Sequence, residues 1–587
     1  MSPLSRWIRP LLVAPWRALL PAVVLAACAP AARSPDASMA TRGGTGAREQ
    51  TADQQVHHVL NRLAFGARPG DVETVRAIGV DAWIERQLHP ERIDDAAVDQ
   101  FLTQFQALSL TGAQLLEMYP PPAQALAQLA RRGGAPTAED SAKVRELGRR
   151  STVALGELAS SRVARAVLSE RQLNEVLVDF WENHFTVFAG KDRLRYFLPE
   201  YEASVIRPHA MGKFRDLLGA VAKSPAMLLY LDNWQSVADS GRPVLEPMNP
   251  RIARRRAAVV QRVAQQRPQL AALAQRKRGL NENYARELME LHTLGVDGGY
   301  TQQDVIEVAR ALTGWTLERG AQGGGFVFRP QVHDAGAKVI LGQKFPGGHG
   351  EDEGERVLDL LARHPKTAEF ISTKLARRLV SDTPPPALVQ RAAATFRRTD
   401  GDIREVVRTI ITSPEFFSAS AYRSKVKSPF ELVTSALRTM NAAPDPTPRT
   451  AQLVNRLGQP LFGHQAPNGY PETGDAWMNT GAILNRINFG LSVASGRVPG
   501  VKLVDWAPAK SLNGLPRDQQ VDGVIRTVLG GDASADTRQV LLTGTNPFLA
   551  TRAAGDSLAP VLGPAKPASG LAQIVGLALG APEFQRR

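Results

Sequence analysis

Three histidines in this chain occupy positions from which an imidazole could move a proton or bind a metal. His184 stands in Trp181-Glu-Asn-His184-Phe, where it continues the apolar stripe of Leu173, Val176, Leu177 and Phe180 at 100° per residue. His292 falls within the apolar arc of Tyr284, Ala285, Leu288, Leu291 and Leu294, with Glu287 at the edge of that arc. His333 and Asp334 share a loop, Phe328-Arg-Pro-Gln-Val-His333-Asp334-Ala-Gly336-Ala-Lys338. If they converge, His184, His292 and His333 form a ligand set for a divalent metal such as zinc. Without a metal, the same histidines with Asp334 and Glu287 are candidate general acids and bases, because imidazole titrates near neutral pH. The alternative is structural: a buried imidazole must be hydrogen-bonded, and a backbone carbonyl, an amide such as Asn183 or a carboxylate would satisfy it. Spacing excludes one arrangement. Glu290 and His292 lie about 200° apart on a regular helix and cannot hold one ion together.

Other signatures are few. There is no phosphate-binding Walker loop, no G-x-S-x-G, no H-E-x-x-H and no C-x-x-C. Ser424-x-x-Lys427 has the spacing of a serine–lysine pair, in an expected loop beside Pro429. Asp297-Gly-Gly-Tyr300 reads as a turn, and Glu351-Asp-Glu353 as acidic loading of a helix N-terminus.

The elements that must position these residues are mostly helices. Helical periodicity runs over Thr51–Leu63 and Asp71–Leu88, and one long helix is expected from about Glu139 to Phe188. Asn281 can cap a helix that Gly295 ends, and Thr301-Gln-Gln-Asp304 opens another. Further helices are expected near 352–363, 366–380, 386–398, 402–412, 429–440, 475–495, 518–529 and 569–579. Phe326-Val-Phe328 and Lys338–Leu341 would make one small hairpin around the loop at His333. The expected fold class is all-α, a large multi-helical body with a minor β-hairpin. A faint repeat, Phe214 to Pro225, Ile403 to Pro414 and Leu571 to Pro582, reads as an amphipathic helix stopped by proline, a recurrent helix stop.

Residues 1–27 have the layout of a secretory signal: Arg6 and Arg9, then an apolar run interrupted by Arg17. Leu25-Ala26-Ala27-Cys28 follows, and Cys28 is the only cysteine of the 587 residues. That pattern is a lipobox. It implies lipidation at Cys28, a membrane partner through the lipid, and export to the cell envelope, with Ala29 favouring the outer membrane. Residues 28–50 read as a flexible tether, and 51–587 as a single large helical domain. The formal charge of +14 is local, because Arg251, Arg254, Arg255, Arg256, Arg262, Arg267, Arg276, Lys277 and Arg278 face no acid within 251–278. This basic insertion suits anionic head groups, or no partner at all, and does not mark a nucleic-acid binder.

The chain resembles the bacterial family called Domain of Unknown Function 1800 from about His58 onward. The carriers are His58-x-x-x-Arg62-x-x-Phe65-Gly66, Trp181-x-Asn183-His184-Phe185 and Asn281-Glu-Asn-Tyr-Ala-Arg286-Glu287-x-x-Glu290-Leu-His292-Thr-x-Gly295. Tyr300-x-x-x-Asp304-Val305, Thr313-Gly-Trp315, His333-Asp334-x-Gly336-x-Lys338, His364-Pro-x-x-Ala368-x-Phe370-Ile and Pro582-Glu-Phe-Gln complete them. The resemblance implies no reaction and no cofactor. It implies export, and a partner from a second exported family, Domain of Unknown Function 1501, which looks related to sulfatases. Two functions stand open: a non-catalytic envelope scaffold, or a hydrolase or other acid–base or metal-dependent enzyme on an envelope or extracellular polymer.

Overall fold

In the computed structural model the described residues are 47–122, 137–246, 279–318, 324–546, 558–562 and 568–587, with scattered positions of 126–129 and 251–265. The signal sequence, Cys28 and most of the tether lie outside them. So does most of the basic stretch, of which Arg251, Arg254, Arg255 and Arg262 are described and exposed. Thr45–Arg587 form one compact unit. The fold is all-α, 60% helical, with two small antiparallel two-stranded sheets. Among the described residues no helix is long and apolar enough to cross a membrane.

Many helix starts follow their capping residues. Thr51, Thr301 and Ser428 each close a capping box, on the helices Ala52–Arg62, Gln302–Ala311 and Pro429–Thr439. Asn281 Oδ1 accepts from Tyr284 N at 3.1 Å at the head of Glu282–Glu290. Interior breaks differ from the expectation. The helix expected over Asp71–Leu88 divides at Gly79, whose φ of 86° no helix tolerates, into Asp71–Ile78 and Val80–Gln87. The long helix expected from Glu139 to Phe188 is three: Ala138–Arg150, Val153–Leu168 and Gln172–His184. The second break is made by Ser169, in extended backbone, whose hydroxyl donates to Asp95 Oδ2 at 2.7 Å and accepts from Arg171 N at 3.0 Å.

The single hairpin expected around His333 is also replaced. Strand β1 (Trp315–Leu317) pairs with β2 (Phe326–Phe328), and β3 (Lys338–Ile340) with β4 (Gln343–Phe345). The loop at His333 therefore joins two hairpins instead of closing one.

Two copies of the faint repeat meet. Phe214 N donates to Gly401 O at 2.8 Å, and Ile403 N donates to Gly212 O at 2.9 Å. The helices Phe214–Lys223 and Ile403–Ile411 thus start from a reciprocal antiparallel bridge between Lys213 and Asp402. One continuous apolar core, with Trp181, Trp315, Phe180 and Phe185 fully buried, runs beneath these elements.

Candidate functional site

Two helices carry most of the chemistry. Gln172–His184 and Pro365–Leu379 run antiparallel: Lys374 meets His184, and one turn on, Arg378 meets Asp179. Their residues build two different environments.

The first holds two of the candidate histidines. His184 Nε2 donates to the backbone oxygen of His292 at 3.2 Å, and its Nδ1 accepts from Lys374 Nζ at 2.8 Å. The rings of His184 and His292 are 6.2 Å apart, among Phe180, Trp181, Phe185 and Phe370. Burial, then Lys374, keeps both imidazoles neutral, His184 well below its usual value and His292 down to about 3. Burial also pulls Lys374 down to about 8. His292 Nε2 is buried without a hydrogen-bond partner. The helix carrying His292 stops at Glu290, short of the expected Leu294. His292 N bonds to Glu287 O and Leu294 N to Met289 O, a wider five-residue turn that still delivers the imidazole inward.

His333 and Asp334 are held in another network. His333 Nδ1 donates to Thr313 O at 2.8 Å, and Nε2 lies 3.3 Å from Glu353 Oε2. Glu353 also takes Lys338 Nζ at 2.5 Å. Asp334 is gripped by Arg310 at 2.8 and 3.1 Å and by Gly336 N at 2.9 Å. Burial alone would raise the Asp334 carboxyl, but these hydrogen bonds keep it below its usual value. This cluster clamps the two hairpins onto the helices. No hydrogen bond, ion pair or ring contact among the described residues joins His333 to His184 or His292. The three histidines considered as metal ligands are thus divided two and one. Among the described residues no three His, Cys, Asp or Glu side chains are placed to hold a metal ion. Glu287 is half-buried, its carboxyl raised by burial and by Glu290, and its charge acts on Tyr230.

The second environment is a narrow, strongly charged cleft. Glu182, Asn183 and Asp179 line it from the same helix that presents His184 to the core. Arg162 Nη2 donates to Asp179 Oδ1 at 2.6 Å. Arg378 donates to Asp179 at 2.8 Å and pairs with Glu431 at 3.0 Å and Glu472 at 3.2 Å, while Arg587 reaches Glu431 at 3.0 Å. Burial would raise Glu431, but Arg587 and Arg378 hold it down to about 2. Three guanidiniums thus face three carboxylates. Glu182 is a fourth acid. Its Oε2 pairs with Arg162, which also holds Asp179, and its carboxyl lies beside Glu202. Burial, relieved in part by Arg162 and reinforced by Glu202, raises Glu182 well above the usual carboxylate range.

One loop roofs the cleft. Asn183 Nδ2 donates to Tyr470 O at 2.8 Å, and Tyr470 N donates to Asn183 Oδ1 at 2.7 Å. Gly469, at φ +73°, makes this docking feasible, since a Cβ there would strike the Asn183 carbonyl oxygen. The loop sets His464 beside Tyr470 (4.7 Å) and Tyr470 beside Trp477 (5.9 Å), both pairs tilted, along the lining. The enclosed part is about 50 Å³, space for a water or two beneath an aromatic rim.

Sequence reasoning passed over Glu182, Lys374 and Glu353. Lys374 and Arg378, four apart, sit at the edge of the arc made by Ala368, Ile371 and Leu375, a placement that marks a buried cation. For Glu182 the signal was its place one turn after Asp179 in a helix buried nearly all round.

The family profile described as Protein of unknown function (DUF1800) matches residues 58–586, nearly the whole chain. No curated protein and no solved structure matches it.

Proposed function

Because the chain belongs to the family described as Protein of unknown function (DUF1800), which brings no reaction with it, we propose a role from the cleft: acid–base hydrolysis of an envelope or extracellular polymer, with Glu182 as the general acid. The carrying observation is a buried carboxyl, sharing Arg162 with Asp179 and raised by burial well above the usual carboxylate range, that lines a cleft beside fully paired carboxylates. Environments that push neighbouring carboxyls apart in acidity divide acid and base roles between them. In this cleft Glu182 would give a proton to a leaving group, and Glu472, held charged by Arg378 and Lys425 against the effect of burial, would polarise water. The aromatic rim of Tyr470 and Trp477 suits the flat faces of sugar rings, so a glycan is the preferred polymer. Placement in the envelope, with a lipid on Cys28, rests on Leu25-Ala26-Ala27-Cys28.

The test uses the full chain in detergent against a panel of soluble glycans and peptidoglycan, with release of reducing ends as the readout. Glu182→Gln should lower turnover roughly 10²–10⁴-fold with the fold retained. No release by the parent from any polymer, or an unchanged Glu182→Gln, would sink the reading.

A second reading, a non-catalytic scaffold, is favoured by His184, both of whose ring nitrogens are satisfied inside the core. It expects Glu182→Gln to leave the phenotype intact.

A further inference from the structure

A cavity of about 760 Å³, lined by Ser435 and Thr439 of the Pro429–Thr439 helix, falls in the size range of small-molecule sites. Lys427 and Ser435 both line it. Lys427 Nζ is 2.8 Å from Ser435 Oγ, and 4.1 Å from the centre of the Phe584 ring. Among the described residues Lys427 makes no ion pair. A buried ammonium with one hydroxyl and a ring face for company is poorly solvated, and burial, only partly offset by Glu431, draws Lys427 down to about 7. The neutral amine has a lone pair, so the hydrogen bond can reverse and take the serine proton.

Ser435 is buried, 1% exposed, but its hydroxyl is not committed to its own helix. Its neighbour Thr434 returns its hydroxyl to Phe430 O at 2.7 Å, whereas Ser435 Oγ bonds to Lys427. Gly66, at φ +95°, passes directly over it, and a Cβ at that position would stand 2.6 Å from Ser435 Oγ. Lys427 is fixed in turn: its N–H donates to Gln585 O at 2.9 Å and its carbonyl accepts from Arg486 Nη2 at 2.8 Å. The serine suggested by spacing is not the partner. Ser424 Oγ donates to Ala421 O at 3.0 Å and accepts from Arg62 at 3.3 Å, while Ser435, two helical turns past Lys427, meets the amine.

We propose that Ser435 and Lys427 form a nucleophile–base pair that cleaves an ester or amide with an apolar acyl group, received against Val72, Trp506, Leu529 and Phe584. Ser435 Oγ bonds to the carbonyl carbon as its proton passes to Lys427, and the carbonyl electron pair moves onto oxygen. The adduct collapses, the bond to the leaving oxygen or nitrogen breaks, and that atom departs with the proton from Lys427. Water then attacks the acyl ester of Ser435, gives its proton to Lys427 and releases the acid, with the serine hydroxyl restored by that proton.

An alkyl fluorophosphonate tests this on the full chain, since attack by Ser435 expels fluoride and leaves a phosphonyl group readable by peptide mass spectrometry. The expected result is an adduct on Ser435 of the folded protein, absent in Ser435→Ala and formed at least about 100-fold more slowly in Lys427→Met. Lys427→Gln serves if Lys427→Met does not fold. A folded parent unlabelled at Ser435, labelling that appears only in urea, or a rate unchanged in both lysine variants would each overturn the pair. Glu182 takes no part, so this result and that of the cleft assay are independent.

Discussion

The same two helices build a neutral environment at one level and an ionised one a single turn away. At the level of His184 and Lys374 the surroundings are aromatic, the imidazoles stay neutral, and the Lys374 ammonium is weakened to about 8. At the level of Asp179 and Arg378 opposite charges are dense enough to hold one another ionised, and burial prevails only at the surplus acid, Glu182, whose carboxyl is raised. Burial is the same penalty in both places. What decides the outcome is how many partners of opposite charge lie within hydrogen-bond reach and how far they are shared, as Arg162 is between Asp179 and Glu182.

Arg378→Leu should break the ionised level most severely. It leaves Asp179 with Arg162 alone, Glu431 with Arg587 alone and Glu472 without a guanidinium, and the expected loss is about 3–5 kcal/mol in urea unfolding, because removing one side of a buried pair costs more than deleting both. A loss under about 1 kcal/mol would mean the network is hydrated and the contrast false. Acid titration separates the levels next. His292 has its folded value near 3 against 6.5 in the open chain, so it stays neutral in the fold. Its contribution is full above pH 6.5 and is lost as pH falls toward 3. Glu431, with a folded value near 2 against 4.5, contributes above pH 4.5 and fails as pH falls from there toward 2. His292→Phe should therefore remove about 2–4 kcal/mol of pH dependence from the upper window and leave the lower one unchanged. A parent whose stability is flat from pH 6.5 to 5 would contradict a buried neutral imidazole. The smallest effect should follow Lys374→Met, which takes the donor from His184 Nδ1 but buries no new charge. A cost of about 1–3 kcal/mol is expected, and a cost matching Arg378→Leu would erase the distinction between the levels.

Helix starts were legible because a cap is a local event: Thr51, Asn281 and Thr301 act within three residues of themselves. The breaks at Gly79 and Ser169 were less so. A single glycine is tolerated in many helices, and Ser169 stops its helix only by reaching Asp95, far away in sequence. Strand pairing failed for a similar reason, since three-residue strands carry too little alternation to select a partner. Inward placement of His184 and His292 followed from periodicity, but their company did not. Lys374 comes from the Pro365–Leu379 helix and the backbone of His292 from the turn after Glu290, and Glu353, read as a charge loading a helix N-terminus, turned inward to Lys338 and His333. Periodicity tells which way a side chain faces, and the identity of what it meets is a property of the tertiary fold.

The reciprocal bridge between the two repeat copies sets a timetable for synthesis. Gly401, the acceptor for Phe214 N, is made 187 residues after it. At ordinary elongation speeds that interval is on the order of 10–40 s. For that time the apolar face of the Phe214–Lys223 helix, with Phe214, Leu217, Leu218 and Val221, has no Ile403–Ile411 helix to start beside it. A nascent chain of this length needs a holding chaperone or a slow threading route more than it needs a fast folding step, and truncations before Gly401 should accumulate as aggregates.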